Sequence, residues 1–140
     1  MTSLDIHLER LLDGSPERAF AAWTDPGARQ VWYQDQPGTQ VEASTDLRVG
    51  GRWTVRFGEY GEEGVFEVVD PPHRLVYTST FQRPDGSTFD TRITVTFEPR
   101  DGKTLMTVVD AGFPDTQTRD LHEGGWPGFL DRYSAIVAEP

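Results

Sequence analysis

The chain opens with an alternation in which Leu4, Ile6 and Leu8 are apolar while Asp5, His7 and Glu9 are polar. A period of two is the signature of a half-buried strand. Asp13-Gly14 turns the chain, and Ser15-Pro16-Glu17 then supplies a hydroxyl cap, a proline at the first helical position and an acid in the first turn. That combination predicts a short helix. Thr24-Asp25-Pro26 ends it and caps a second helix running toward Val31, Trp32 and Tyr33.

The middle of the chain predicts strand after strand. Trp53, Val55 and Phe57 alternate with Arg52, Thr54 and Arg56, and Gly58-Glu59-Tyr60-Gly61 signals a hairpin into a strand over Gly64–Val69. After Pro71-Pro72, the residues Leu75, Tyr77, Ser79 and Phe81 share one face of the next strand. The clearest alternation sets Phe89, Thr91, Ile93, Val95 and Phe97 against Asp90, Arg92, Thr94, Thr96 and Glu98. Asp101-Gly102 turns into a last strand over Thr104–Asp110, and Gln40–Ala43 adds a weaker one. About seven strands result, antiparallel because the turns are short. The period then changes. Trp126, Phe129, Leu130, Tyr133, Ile136 and Val137 recur at helical spacing, and the same face extends back to His122. Gly124, Gly125, Pro127 and Gly128 disfavour a helix interior and predict a kink or break around Gly125–Pro127.

One sheet and one long apolar helix have few ways to cover each other. The expected fold is α+β, a helix grip: a curved antiparallel sheet of six to seven strands around a long C-terminal helix. Two short helices after the first strand close one end, and a cavity can remain between these parts. No composition break or repeat divides residues 1–140, which read as a single domain.

Composition narrows the function. Thirteen Lys and Arg against 23 Asp and Glu give a net charge of −10. Nucleic-acid binding needs a basic footprint, and anionic membrane surfaces repel this charge. Cysteine is absent, which removes disulfides and thiolate chemistry. The first twenty residues carry four acids and no apolar core of a signal peptide, and no run reaches membrane-spanning length. The expectation is a cytoplasmic protein without membrane insertion. Neither a phosphate-binding loop nor a dinucleotide-binding glycine pattern occurs, so no cofactor is expected. Gly50-Gly51 reads as a tight turn. His7, His73 and His122 are too scattered for a metal site.

Four segments carry a resemblance to a known family. They are Ala21-Ala22-Trp23-Thr24-Asp25-Pro26 with Trp32; Asp46-Leu47-Arg48-Val49-Gly50-Gly51; Gly64 and Glu67-Val68-Val69 through Pro71-Pro72-His73-Arg74-Leu75-Val76-Tyr77; and Gly112-Phe113 with His122-Glu123-Gly124-Gly125-Trp126. In this order they resemble the activator of heat-shock-protein ATPase homologue-like family of the START-like (SRPBCC, Bet v-like) superfamily. Val49 stands where that family usually has proline. The resemblance implies the helix grip independently. For function it implies a small hydrophobic molecule in the cavity, contact with the 90-kilodalton heat-shock chaperone, or cyclase- or hydrolase-type catalysis using His122 and a carboxylate. No catalytic residue is assigned.

The cavity candidates are the inward aromatics Trp53, Phe57, Tyr77 and Phe81 on strands, Trp32 on the second short helix, and Trp126, Phe129 and Tyr133 on the long helix. Apolar walls with a few placed polar groups suit a ligand site. His122, on the inward helical face and at the cavity mouth by family position, joins them. So does Glu67, between Phe66 and Val68. Turned inward, Glu67 must find a partner such as an arginine, for which Arg10, Arg52, Arg56 and Arg92 are available, or its pKa rises; the alternative is that it faces solvent. Open sheet edges leave monomer and homodimer both open.

Overall fold

The computed structural model describes residues 4–139. The elements run β1 (Ile6–Leu12), α1 (Pro16–Thr24), α2 (Pro26–Trp32), β2 (Val41–Thr45), β3 (Arg52–Phe57), β4 (Tyr60–Asp70), β5 (Arg74–Gln82), β6 (Thr88–Arg100), β7 (Lys103–Ala111) and α3 (Thr116–Ala138). The strands form one antiparallel sheet in the order β1-β7-β6-β5-β4-β3-β2. Apart from β1, which pairs with β7, each strand neighbours the next in sequence. This is the helix-grip α+β fold expected from the periodicities.

The helix starts follow their local chemistry. Ser15 Oγ accepts from the Arg18 amide (3.2 Å) ahead of Pro16. Asp25 serves two helices: its amide closes α1 onto Ala21 O (2.8 Å), and its carboxylate caps α2 by accepting from the Ala28 amide (2.9 Å). This shared cap fixes the angle between α1 and α2. Asp115 caps α3 through the Thr118 amide (2.7 Å).

One apolar cluster joins α1, α2, α3 and the concave face of the sheet, with Leu130, Tyr133 and Val137 of α3 inside it. All four indoles donate a hydrogen bond: Trp23 to Tyr77 Oη, Trp32 to Ala22 O and Trp53 to Thr78 O, each at 3.0 Å, and Trp126 to Asp110 Oδ2 at 3.2 Å. Satisfied indoles let such large rings be buried without an orphaned donor. Tyr133 Oη donates to Ala19 O (2.6 Å) and ties α3 to α1.

Two details of the chain needed the structure. Gly64 faces Trp53 across the β3–β4 pair, and a Cβ there would lie 1.8 Å from Thr78 O. Only glycine permits that approach. Of the kink or break expected at Gly125–Pro127, the break is absent, since α3 is one helix through Pro127. Proline removes one amide from the ladder, while Leu130, Tyr133 and Val137 hold the following turns against the core.

Candidate functional site

A pocket of about 540 Å3 lies between α3, the end of α2 and the concave sheet face, and it opens to solvent. Its apolar walls are Trp32 and Tyr33 at the end of α2, Phe57 on β3, Phe81 on β5, Phe89 on β6, and Trp126 with Phe129 on α3. The helix contributes His122, Gly125, Trp126 and Phe129 at spacings of three and four, a single face. At Gly125 a Cβ would meet nothing within 4 Å. The glycines that weaken this helix therefore leave room at the pocket.

Across this apolar surface runs a row of polar side chains, one from each of four adjacent strands: Glu62 on β4, Ser79 on β5, Thr91 on β6 and Asp110 on β7. Ser79 and Thr91 are direct cross-strand partners. Ser79 Oγ donates to Glu62 Oε2 (2.9 Å), and Trp126 Nε1 donates to Asp110 Oδ2. Asp110 is 4% exposed, and its Oδ1 has no hydrogen-bond partner among the described residues.

This placement changes proton affinities. Burial pushes Glu62 up to about 7; hydrogen bonds from Ser79 and Tyr33 and the charge of Arg29 pull it back, while Asp110 pushes it further. Asp110 is pushed up to about 6, again chiefly by burial, against the Thr91 and Trp126 donors and with a small push from Asp5. His122 moves the other way, down to about 4, through burial and then the nearby Arg83 charge. Its ring stands edge-on to Phe81 and Phe89 at centroid distances of 4.7 and 5.0 Å. Such surroundings favour neutral imidazole.

Behind the pocket wall lies a cation. Arg29 on α2 is fully buried, and its Nε donates to Trp23 O (2.7 Å). Its guanidinium carbon stands 4.8 Å from the Trp53 ring centroid and 5.7 Å from those of Trp32 and Tyr77. Neither terminal nitrogen has a hydrogen-bond partner among the described residues. The aromatic faces take the place of a carboxylate.

The structure brings Trp32, Phe57, Phe81, His122, Trp126 and Phe129 together around the pocket. Trp53, Tyr77 and Tyr133 sit in the core behind it, where Trp53 and Tyr77 flank Arg29 and Tyr133 holds α1. Glu67 needs correction as a cavity candidate. It lies on the outer face, paired with Arg92 at 2.7 and 3.2 Å. Phe66 points inward, so its neighbour points out; the bulge between Phe66 and Val68 then resets the phase and makes the run look continuously apolar.

The inward carboxylates are Glu62 and Asp110. Parity carried a signal for both: Glu62 is four residues before Phe66, and Asp110 continues the buried positions Met106 and Val108. Arg29 was signalled by its place three residues before Trp32 on α2. Among the described residues, no carboxylate is hydrogen-bonded to His122, and no cluster of three or more His, Asp or Glu could hold a metal ion. No helix there is long and apolar enough to cross a membrane.

A helix-grip sheet with a pocket under its long helix defines a START-like domain. The chain belongs to the family described as Activator of Hsp90 ATPase homolog 1-like protein, whose sequence model matches residues 13–138. A crystal structure of a Chromobacterium violaceum protein is 28% identical over 97% of this chain and 98% of its own, with a TM-score of 0.86. A Mycobacterium smegmatis protein is 21% identical, with a TM-score of 0.78 over 96% of this chain and 88% of its own. CalU16 from Micromonospora echinospora is 21% identical, with a TM-score of 0.75 over 96% of this chain and 76% of its own. No curated protein matches the sequence.

Proposed function

We propose that this protein binds a small, mostly apolar molecule in the pocket beneath α3. The observation that carries the reading is a space of about 540 Å3 walled by aromatic rings and crossed by one short polar row. Ligand sites commonly span about 300–1,000 Å3, with apolar walls and a few polar groups that fix orientation. A core built only for stability would fill that volume and leave no carboxyl inside it.

The test compares the native and denatured masses of gently purified protein. It is followed by titration of an environment-sensitive naphthalene dye into wild type and Gly125→Leu. The substitution replaces a helix-weakening glycine at the pocket wall, so the fold is retained while the space narrows. Dye binding that falls at least about tenfold in Gly125→Leu supports the reading. Equal binding by both proteins would place the dye elsewhere and remove the reading. If apolar molecules fail to bind while the chain changes the ATPase rate of an Hsp90 chaperone, the activity in the family's description takes its place.

A further inference from the structure

The polar row can be read by counting protons. Ser79 has one hydroxyl proton and gives it to Glu62. Tyr33 also donates to Glu62, and Thr91 and Trp126 donate to Asp110, the Trp126 N–H on Oδ2; among the described residues Asp110 Oδ1 has no hydrogen-bond partner. With both acids ionised, what the row offers the pocket is lone pairs and negative charge.

The bases nearby do not neutralise that charge. Arg83, just after β5, donates to Ser87 Oγ and Thr118 Oγ1 and lies 4.8 Å over the Phe89 ring. Arg132 on α3 donates to Trp32 O, and Arg29 donates to Trp23 O behind the wall. Neither Glu62 nor Asp110 has an ion-pair partner within 4.0 Å among the described residues.

We infer that the pocket selects a ligand bearing a protonated amine on an apolar ring system, the ammonium resting against Glu62 with the buried charge of Asp110 behind it. This rests on the pocket-binding reading above. Glu62 is the more exposed of the two acids and so is the contact; Asp110, 4% exposed, acts through its field. An anionic ligand would add a third negative charge in a weakly screened space. A neutral acceptor would meet lone pairs. An ammonium supplies a further donor to Glu62 and a compensating charge to both acids together, and the rings of Tyr33, Phe57 and Trp126 suit a partly desolvated cation.

Proton competition follows from the same arrangement. The titratable and charged groups around the two acids are Tyr33, Arg29 and the rim residue Asp35 from the α2 side, Tyr60 on β4, Tyr77 on β5, Arg83 after β5, His122 and Arg132 from α3, and Asp5 before β1. Of the two acids, Asp110 protonates near 6 and Glu62 near 7, whereas His122 stays neutral down to about 4. Lowering the pH from 8 to 5 therefore protonates the acids while an aliphatic amine keeps its charge.

The experiment is calorimetric titration of the whole chain with 1-naphthylmethylamine, 1-naphthylmethanol and 1-naphthoate, which share one ring system. At pH 8 the amine is expected to bind at least about tenfold more tightly than the alcohol, with the acid weakest. Glu62→Gln should abolish the preference for amine over alcohol, and Asp110→Asn should reduce it by about threefold to fivefold. At pH 5 the preference should fall in wild type without any substitution, which keeps the test valid if a variant folds poorly. Equal or tighter binding of the alcohol overturns the amine assignment and leaves the pocket reading standing. No binding of any probe at about 1 mM overturns both. An amine preference unchanged in Glu62→Gln and unchanged at pH 5 places the cation elsewhere and overturns the assignment.

Discussion

Replacing Glu62 with glutamine is expected to stabilise the protein at alkaline pH and to leave it unchanged in acid. The carboxyl is carried from about 4.5 in the unfolded chain to about 7 in the folded one. At 1.36 kcal/mol per pH unit, that interval corresponds to about 3 kcal/mol for a fully enclosed group. Glu62 lines an open pocket and is only half-buried, which lowers the expected effect to about 2 kcal/mol. The sign follows from proton counting. Between 4.5 and about 7 the folded state binds more protons than the unfolded state, so stability falls as pH rises. The contribution is fully present below 4.5 and is lost by the time pH has passed through about 7.

Glutamine cannot ionise, yet its carbonyl still accepts the proton of Ser79. Urea denaturation of both proteins at intervals from pH 4 to pH 8 measures the difference. The expected curve rises from near zero at the acid end to about 2 kcal/mol in favour of Glu62→Gln at the alkaline end. His122 is common to both proteins and cancels, and Asp110 enters the difference only through its repulsion of Glu62, although each shapes the absolute curves. Asp110 removes stability as pH rises from 3.8 to about 6, and His122 removes it as pH falls from 6.5 to about 4. A variant less stable than wild type at pH 8, or a difference independent of pH, would refute the reasoning.

Tyr133→Phe deletes the hydroxyl that satisfies Ala19 O between α3 and α1, and chemical denaturation should show a loss of about 1–2 kcal/mol. Gly64→Ala drives a methyl into the Thr78 carbonyl and should lower stability by about 2–3 kcal/mol, with a fall in Tm as the readout. Glu67→Gln breaks an ion pair between exposed side chains on the outer face; denaturation should detect no more than about 0.5 kcal/mol, and dye binding should not change. Arg29→Ala should destabilise by about 3 kcal/mol or more. Arg29→Met, which keeps the volume and removes the unpaired charge, should stay within about 1–2 kcal/mol of wild type by the same assay.

The fold was legible because each local signal agreed with the others. Ser15-Pro16, the shared cap at Asp25, the alternation from Phe89 to Phe97 and the helical stripe from Trp126 to Val137 all point to one packing. The pocket was legible through its rings, since period and parity place Phe57, Phe81, Trp126 and Phe129 inward. The carboxylates were harder to read. On Tyr60–Asp70, the bulge after Phe66 puts Val68 and Val69 out of step, and Glu67 inherits the apolar look of its neighbours. Meanwhile Glu62, between Gly61 and Glu63, resembles a hairpin residue until the register shows Glu62 opposite Phe81. The glycines of α3 do not break the helix for a related reason: propensity describes an isolated helix, and here tertiary packing on the opposite face decides.

The residues that break the local rules fall in one region. Glu62, Asp110 and Arg29 are charge-bearing groups in an aromatic environment, and Gly125 is a helix-weakening residue with open space beside it. Each costs stability, and the costs do not cancel in pairs: Arg29 lowers the proton affinity of Glu62 only through space, and its guanidinium is spent on rings and one carbonyl. A structural role would have been met more cheaply by leucine on the sheet and alanine on the helix. Uncompensated charge beside unfilled volume supports the ligand-binding reading proposed above, in which a ligand would make the missing contacts. The two acids in the row and the fully buried arginine thus belong to one argument. Hydrogen bonds from Ser79 and Tyr33, and then the charge of Arg29, hold the Glu62 carboxyl below where burial alone would carry it, and the rings around the two acids bound the pocket.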